Sequence, residues 1–151
     1  MRASKLRFSV KGVGALGVAL VMATTIYAAS GVSVSLNLQR GFKNRQLAAC
    51  GIKHHYTFYH RRHRIPFDGT VNPAPHHSFR VKVKVKKCRS GSFRTVFAIH
   101  VRGSGSTGHF RGHLRSPGRG FFYARAYFYG IPPQKHAVAR SDKEFFRVTK
   151  R

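Results

Sequence analysis

A chain of 151 residues with 42% hydrophobic and 13% aromatic side chains can build one packed domain and is too apolar for a disordered basic tail. Its 29 Lys and Arg stand against three carboxylates, Asp68, Asp142 and Glu144, a formal charge of +26 before any of the 10 histidines protonates. Such a surface attracts phosphate, sulfate and anionic lipid whatever its fold. Acid denaturation works mostly by protonating paired carboxylates, so a chain with so few should tolerate low pH.

The N-terminal run MRASKLRFSVK carries Arg2, Lys5, Arg7 and Lys11, and GVGALGVALVMATTIYAAS follows without a charge. A basic start, an apolar stretch and a small-residue exit predict a secretory signal peptide over residues 1–30, with cleavage after Ala28, Ser30 or Gly31. The competing reading is an uncleaved anchor, because no charge occurs between Lys11 and Arg40 and about 20 apolar residues span a bilayer. Thr24, Thr25, Ser30, Ser33 and Ser35 dilute that stretch and favour cleavage. Either way residues 31–151 lie outside the cytoplasm, secreted or held at the cell envelope, and membrane contact runs only through the N-terminal segment if it is retained. In an oxidising compartment Cys50 and Cys88 are most simply one disulfide, with two buried thiols as the alternative. Closing a loop of about 40 residues would stabilise the fold by about 4 kcal/mol.

From residue 31 onward, short alternating runs separated by Gly, Pro and Ser predict an all-β domain. Val32, Val34, Leu36 and Leu38 alternate with polar partners as a first strand. GIKHHYTFYH offers a second, less regular one through Ile52, Tyr56 and Phe58. RIPFDGTV begins a strand and is expected to turn at Asp68 and Gly69, a pair suited to positive φ. Pro73 and Pro75 make the next segment a connection. FRVKVKVKKC then places Phe79, Val81, Val83 and Val85 on one face and Arg80, Lys82, Lys84 and Lys86 on the other. FRTVFAIHV is apolar on both sides, with Phe93, Thr95, Phe97, Ile99 and Val101 opposite Arg94, Val96, Ala98 and His100, and is expected to be the more central strand. GHFRGHLR forms a strand around Phe110 and Leu114. FFYARAYFYG puts Phe122, Ala124, Ala126 and Phe128 against Phe121, Tyr123, Arg125, Tyr127 and Tyr129. EFFRVTKR closes the chain with Phe146 and Val148 inward. About seven strands with long connections at 72–78 and 130–141 fit a two-sheet Greek-key sandwich.

The phrases FDGTVNPAP, the alternating valines, GSFRTV, GHFRGHLRSPGRG and FFYARA succeed one another between Ile65 and Ala126. In that order they resemble the immunoglobulin-like and fibronectin-type repeats of secreted and surface proteins of bacteria, especially actinobacteria. The family's opening G-T-V-x-P falls on Gly69 to Pro73, its V-x-V strand on Val81 to Val85, and its glycine turn with aromatic and valine on Gly91 to Val96. The G-x-F strand, the P-x-G turn and the Y-x-x-R-A strand fall on Gly108 to Phe110, Pro117 to Gly120 and Phe122 to Ala126. ARSDKEFFRV looks like the family's last strand. Phe93 stands where a tryptophan is usual, and the surface is basic where it is usually mixed. The resemblance implies an immunoglobulin-like sandwich acting as a spacer, adhesion module or carbohydrate-associated appendage, and carries no ligand across.

Catalytic chemistry finds little material. His54, His55, His60 and His63 lie close together, and on a strand His55 would share a face not with His60 but at most with His63; Arg61, Arg62 and Arg64 repel a divalent ion and no metal or cofactor is expected. A nucleophile with base and orienting acid has only three carboxylates to draw on. Asp142 and Glu144, two apart, do not form a hydrolytic pair. GSGSTG lacks the lysine and strand-to-helix setting of a phosphate loop. The expectation is a non-enzyme.

Binding remains. Arg80, Lys82, Lys84 and Lys86 on one strand and Tyr123, Arg125 and Tyr127 on another would form a polyanion-binding groove if they share one sheet surface, with basic groups neutralising phosphates and rings stacking on planar groups. The expected partners are anionic envelope or extracellular polymers such as teichoic acid or an acidic glycan; nucleic acid would be held without sequence preference. The alternatives are a structural surface domain whose lysines merely solvate it and discourage edge pairing, or a cationic effector acting on nucleic acid or membranes.

Overall fold

Alternation decides the architecture, because successive side chains of a strand point to opposite faces and each inward set must find another layer. The computed structural model describes residues 31–150; the signal-segment reading of residues 1–30 lies outside them. Among the described residues there are eleven strands and no helix. In chain order they are β1 (Ser33–Val34), β2 (Asn37–Leu38), β3 (Lys43–Ala49), β4 (Ile52–His60), β5 (Ile65–Asn72) and β6 (Phe79–Arg89). There follow β7 (Ser92–Gly103), β8 (His109–Leu114), β9 (Gly120–Phe128), β10 (Ala139–Arg140) and β11 (Glu144–Thr149). The all-β expectation is met.

Hydrogen bonding runs β1-β5-β8-β7-β6-β9-β11-β4-β3, with β2 attached to β5 and β10 to β9. All ladders are antiparallel except the one between β11 and β4, which pairs Phe146 with Thr57 and Thr149 with His60 in parallel. One core holds Val81, Val83 and Val85 of β6, Phe122, Ala124, Ala126 and Phe128 of β9, and Phe146 and Val148 of β11. Ile65, Phe67 and Val71 of β5 and Phe110 and Leu114 of β8 join the same cluster. Side chains of β5 and β8 therefore pack in one cluster with those of β6, β9 and β11. Burying a side chain such as Phe122 or Phe128 contributes roughly 2–3 kcal/mol before entropy is charged against it.

A second, smaller cluster of Tyr56, Phe58, Tyr123 and Phe145 lies on the opposite face of β9, β11 and β4, with Leu47, Ile52, Phe93 and Phe121 packed against it. Edge-to-face pairs hold it, with Tyr56 5.2 Å from Phe121 and 5.5 Å from Phe145 between ring centroids. Beside it Cys50, in the turn after β3, is disulfide-bonded to Cys88 near the end of β6, with Cα atoms 5.8 Å apart and a separation of 38 positions in sequence. This bridge fits an oxidising compartment.

Three sequence readings are corrected. Asp68 and Gly69 do not turn: β5 runs unbroken from Ile65 to Asn72. Gly69 is needed for space, since a Cβ there would run into the Phe110 ring and the Ser35 carbonyl. The central strand is β6, paired along its length with both β7 and β9. By contrast β7 meets β8, among the described residues, through the single pair Gly103–Phe110, and its apolar side chains are only half buried. Its two apolar faces reflect a bulge between Val85 and Lys86, where Phe97 and then Thr95 are the partners and Val96 is left over, shifting the alternation. Finally, His55 does not share a face with His63. Strand β4 ends at His60, and it is the His60 ring that lies 5.9 Å from His63.

The pattern of Lys43–Ala49 does not mark it as a strand, yet it is β3. It forms a hairpin with β4 through the left-handed pair Cys50 and Gly51, φ 50° and 73°.

Candidate polyanion-binding face

Register decides whether the two basic runs meet. In the β6–β9 ladder Lys82 lies opposite Tyr127, Lys84 opposite Arg125 and Lys86 opposite Tyr123. Directly opposed residues of an antiparallel pair project to the same side, and the valines between them are buried. All three lysines, Arg125, Tyr127 and Tyr123 therefore stand on one face of the sheet, turned away from the main core. On the other side of β6, Arg80 is opposite Arg102 and Lys82 opposite His100. Sequence reading missed this extension onto β7, although the alternation of His100 and Arg102 with Ile99 and Val101 carried the signal.

Repulsion among these cations is moderated by aromatic rings. The Lys84 ammonium sits 4.7 Å from the Tyr127 centroid and that of Lys86 5.8 Å from Tyr123. Lys143 lies 5.2 Å from the Tyr123 ring, and Arg147 on β11 covers Phe121 at 4.8 Å and Phe58 at 5.5 Å. Contacts of this kind are worth about 0.5–1 kcal/mol each at exposed sites and hold the side chains against the sheet. Lys143 and Arg147 were not among the expected site residues; Arg147 follows from the alternation in EFFRVT, whereas Lys143 precedes β11 and gave no signal.

The residues do not contribute equally. Tyr127 and Arg125 are half exposed, but Tyr123 is 7% exposed and belongs to the second cluster. Its ring anchors Lys86 and Lys143 rather than offering a free stacking surface. Arg125 is fixed from behind: its Nε donates to the Ser141 carbonyl at 2.6 Å. Ser141, 2% exposed, accepts the Ala126 amide at Oγ and donates that hydroxyl to the Asp142 carbonyl. With one nitrogen occupied, the rest of the Arg125 guanidinium keeps its donors in a fixed fork.

A shallow cleft of about 550 Å³ borders this face, lined by His54, Arg125, Asp142, Lys143, Glu144 and Phe145 among others. Glu144 is held above the usual carboxylate range by burial first and by the Asp142 charge second, with His54 pulling the other way. Burial also pushes the Tyr56 and Tyr59 phenols up, Tyr59 further, with the Glu144 charge adding to it. Two of the three carboxylates thus sit together at the rim of the basic face. Asp68 lies on β5, where Gln39 Nε2 donates to its Oδ1 at 2.6 Å. Among the described residues no three His, Cys, Asp or Glu side chains converge as a metal-binding group. The chain matches no family model and no curated protein, so the functional reading rests on these residues.

Proposed function

We propose that this protein is a non-catalytic, secreted or envelope-associated module that binds anionic extracellular or cell-wall polymers through the β6–β9 face. The observation that carries the reading is the register that sets Lys82, Lys84 and Lys86 against Tyr127, Arg125 and Tyr123. A row of cations at strand spacing, with Lys84 and Lys86 braced by rings and Arg125 by the Ser141 carbonyl, matches a chain of regularly spaced phosphate, sulfate or carboxylate groups. Steric access favours a polymer, because the face is open along the strands. The finer architecture we propose is an immunoglobulin-like Greek-key sandwich. It is supported by the shared core of β5–β8 and β6–β9–β11 and by the single ladder pair at the β7–β8 corner.

The experiment is a binding panel with the full chain: teichoic acid, heparin, single-stranded DNA and anionic vesicles, each across a salt series. Retention of one polymer near physiological ionic strength, while the others are lost, is the expected result. Equal and steeply salt-sensitive binding to all reduces the interaction to net charge. No binding even at low salt leaves a structural domain. Vesicle leakage without polymer preference identifies a membrane-active effector instead.

A further inference from the structure

At the opposite margin of the sheet, beyond β11, the chain builds a second cationic feature that the polymer-binding reading does not use. Residues 39–42 cross from β5 to β4 and are pinned at both ends: the Gln39 amide donates to the Pro66 carbonyl at 2.9 Å and the Phe42 amide to the Phe58 carbonyl at 3.1 Å. Arg40, between them, is left-handed at φ 60°. After β4, Arg61 N donates to the Thr149 carbonyl at 3.0 Å and Arg62 turns the chain at φ 74°. Arg64 then leads into the fully buried Ile65. Backbone bonds thus hold both arms of a pocket of about 380 Å³ lined by Arg40, Phe42, Tyr59, His60, His63 and Arg64.

Three features of this pocket fit an anionic ligand. Among the described residues no carboxylate lines it, and the adjoining hollow of about 340 Å³ adds Arg61, Arg62 and Lys150, again with none among the described residues. Asp68, the carboxylate of neighbouring β5, is engaged by Gln39. Second, His60 Nδ1 is buried without a hydrogen-bond partner, a state that buried polar atoms rarely keep. Third, Phe42 is the exposed large apolar side chain among the described residues, at 52%, and lies flat on the His60 ring at 4.2 Å and 3° between planes. That stack fixes the orientation of the imidazole ring.

We propose that this pocket binds a single phosphate group, as inorganic phosphate or as a phosphomonoester. Two guanidinium forks recognise tetrahedral oxygens bidentately, and imidazole nitrogens supply shorter-range donors. The pocket shares no residue with the β6–β9 face, which separates the two. The outlying Arg61, Arg62 and Lys150 raise the local concentration of the anion.

The test titrates inorganic phosphate, a nucleoside monophosphate and phosphatidic-acid vesicles into the full chain at about 0.15 M ionic strength, following histidine side-chain NMR resonances. Saturable, one-to-one shifts confined to His60 and His63 are expected. Arg40→Gln with Arg64→Gln should weaken binding roughly tenfold or more, while Lys82→Gln/Lys84→Gln/Lys86→Gln should leave it within about twofold, so that failure here and failure of the polymer-binding face are read separately. Vesicle binding without free phosphate binding, lost in the double arginine variant, would assign the phosphate to a lipid. If the double variant does not fold, Arg64→Lys keeps the charge, loses the fork and should still weaken binding several-fold. Non-saturating shifts spread over His100, His109 and His136 alike, or equal losses in the arginine and lysine variants, would overturn the proposal.

Discussion

Removing the Cys50–Cys88 bridge by a double alanine substitution should cost about 4 kcal/mol. The bridge closes a loop of 38 positions, and the chain-entropy relation for that length gives about 13 cal/mol/K, or about 4 kcal/mol at room temperature. Native-state losses should be small, because the cluster of Tyr56, Phe58, Tyr123 and Phe145 and the parallel β11–β4 ladder still join the β3–β4 hairpin to the sheet. Cys50 sits at φ 50°, and alanine carries the same Cβ there, so the backbone cost cancels. Urea unfolding of the oxidised chain and of the variant measures the difference. With a slope of about 1.5 kcal/mol/M the midpoint should fall by between about 2 and 3 M, and the slope should rise because the uncrosslinked unfolded chain exposes more surface. A loss below about 1 kcal/mol, or an intact mass for the native chain that retains both thiol hydrogens, would refute the reasoning.

Lys82→Gln/Lys84→Gln/Lys86→Gln removes three of the aligned cations from the solvent face, so the melting curve should hardly move. The salt slope for single-stranded DNA should fall by about 2, and affinity at about 0.15 M salt by about 50-fold, at about 0.7 per lost phosphate contact; an unchanged slope would leave those lysines merely solvated. Glu144 has its folded carboxyl raised above the unfolded one, so between the two the native state binds more protons and stability falls as pH rises. Glu144→Gln should therefore stabilise the protein at neutral pH and flatten its dependence on the acid side, as read by thermal melts from pH 4 to 8; a variant less stable at pH 7 would contradict the sign. Gly103→Ala would drive its Cβ into the Phe79 ring beside the Gly103–Phe110 pair, costing about 1–3 kcal/mol in urea unfolding. A neutral result would mean that the β7–β8 corner yields freely.

Much of the fold is written locally. Phe79, Val81, Val83 and Val85 alternate with basic residues over a run long enough to leave no competing helix, and they are the buried row of β6. Phe122, Ala124, Ala126 and Phe128 behave the same way on β9. Reading failed where local chemistry pointed one way and packing another. Asp-Gly is a turn signal, yet at Asp68–Gly69 the glycine answers a steric demand from Phe110, a residue some forty positions on. Lys43–Ala49 carries no apolar alternation strong enough to mark a strand; it is one because the β4 edge and the Cys50–Gly51 turn fold it back. At the candidate face, Arg147 and His100 alternate correctly within their own strands, but their place beside β9 and β6 depends on which strands become neighbours.

Sequence alone determined the charge, the cysteine pair and the inward face of regularly alternating strands such as β6 and β9, because all three are properties of composition or of a two-residue period. Tertiary structure decided the register between strands, since pairing depends on twist, bulges and packing across segments distant in the chain. That register brings Lys84 beside Arg125 and Tyr127. It also sets the end of β4 against the crossing at Arg40, bringing that arginine, twenty or more positions away in sequence, to His60, His63 and Arg64 around one pocket.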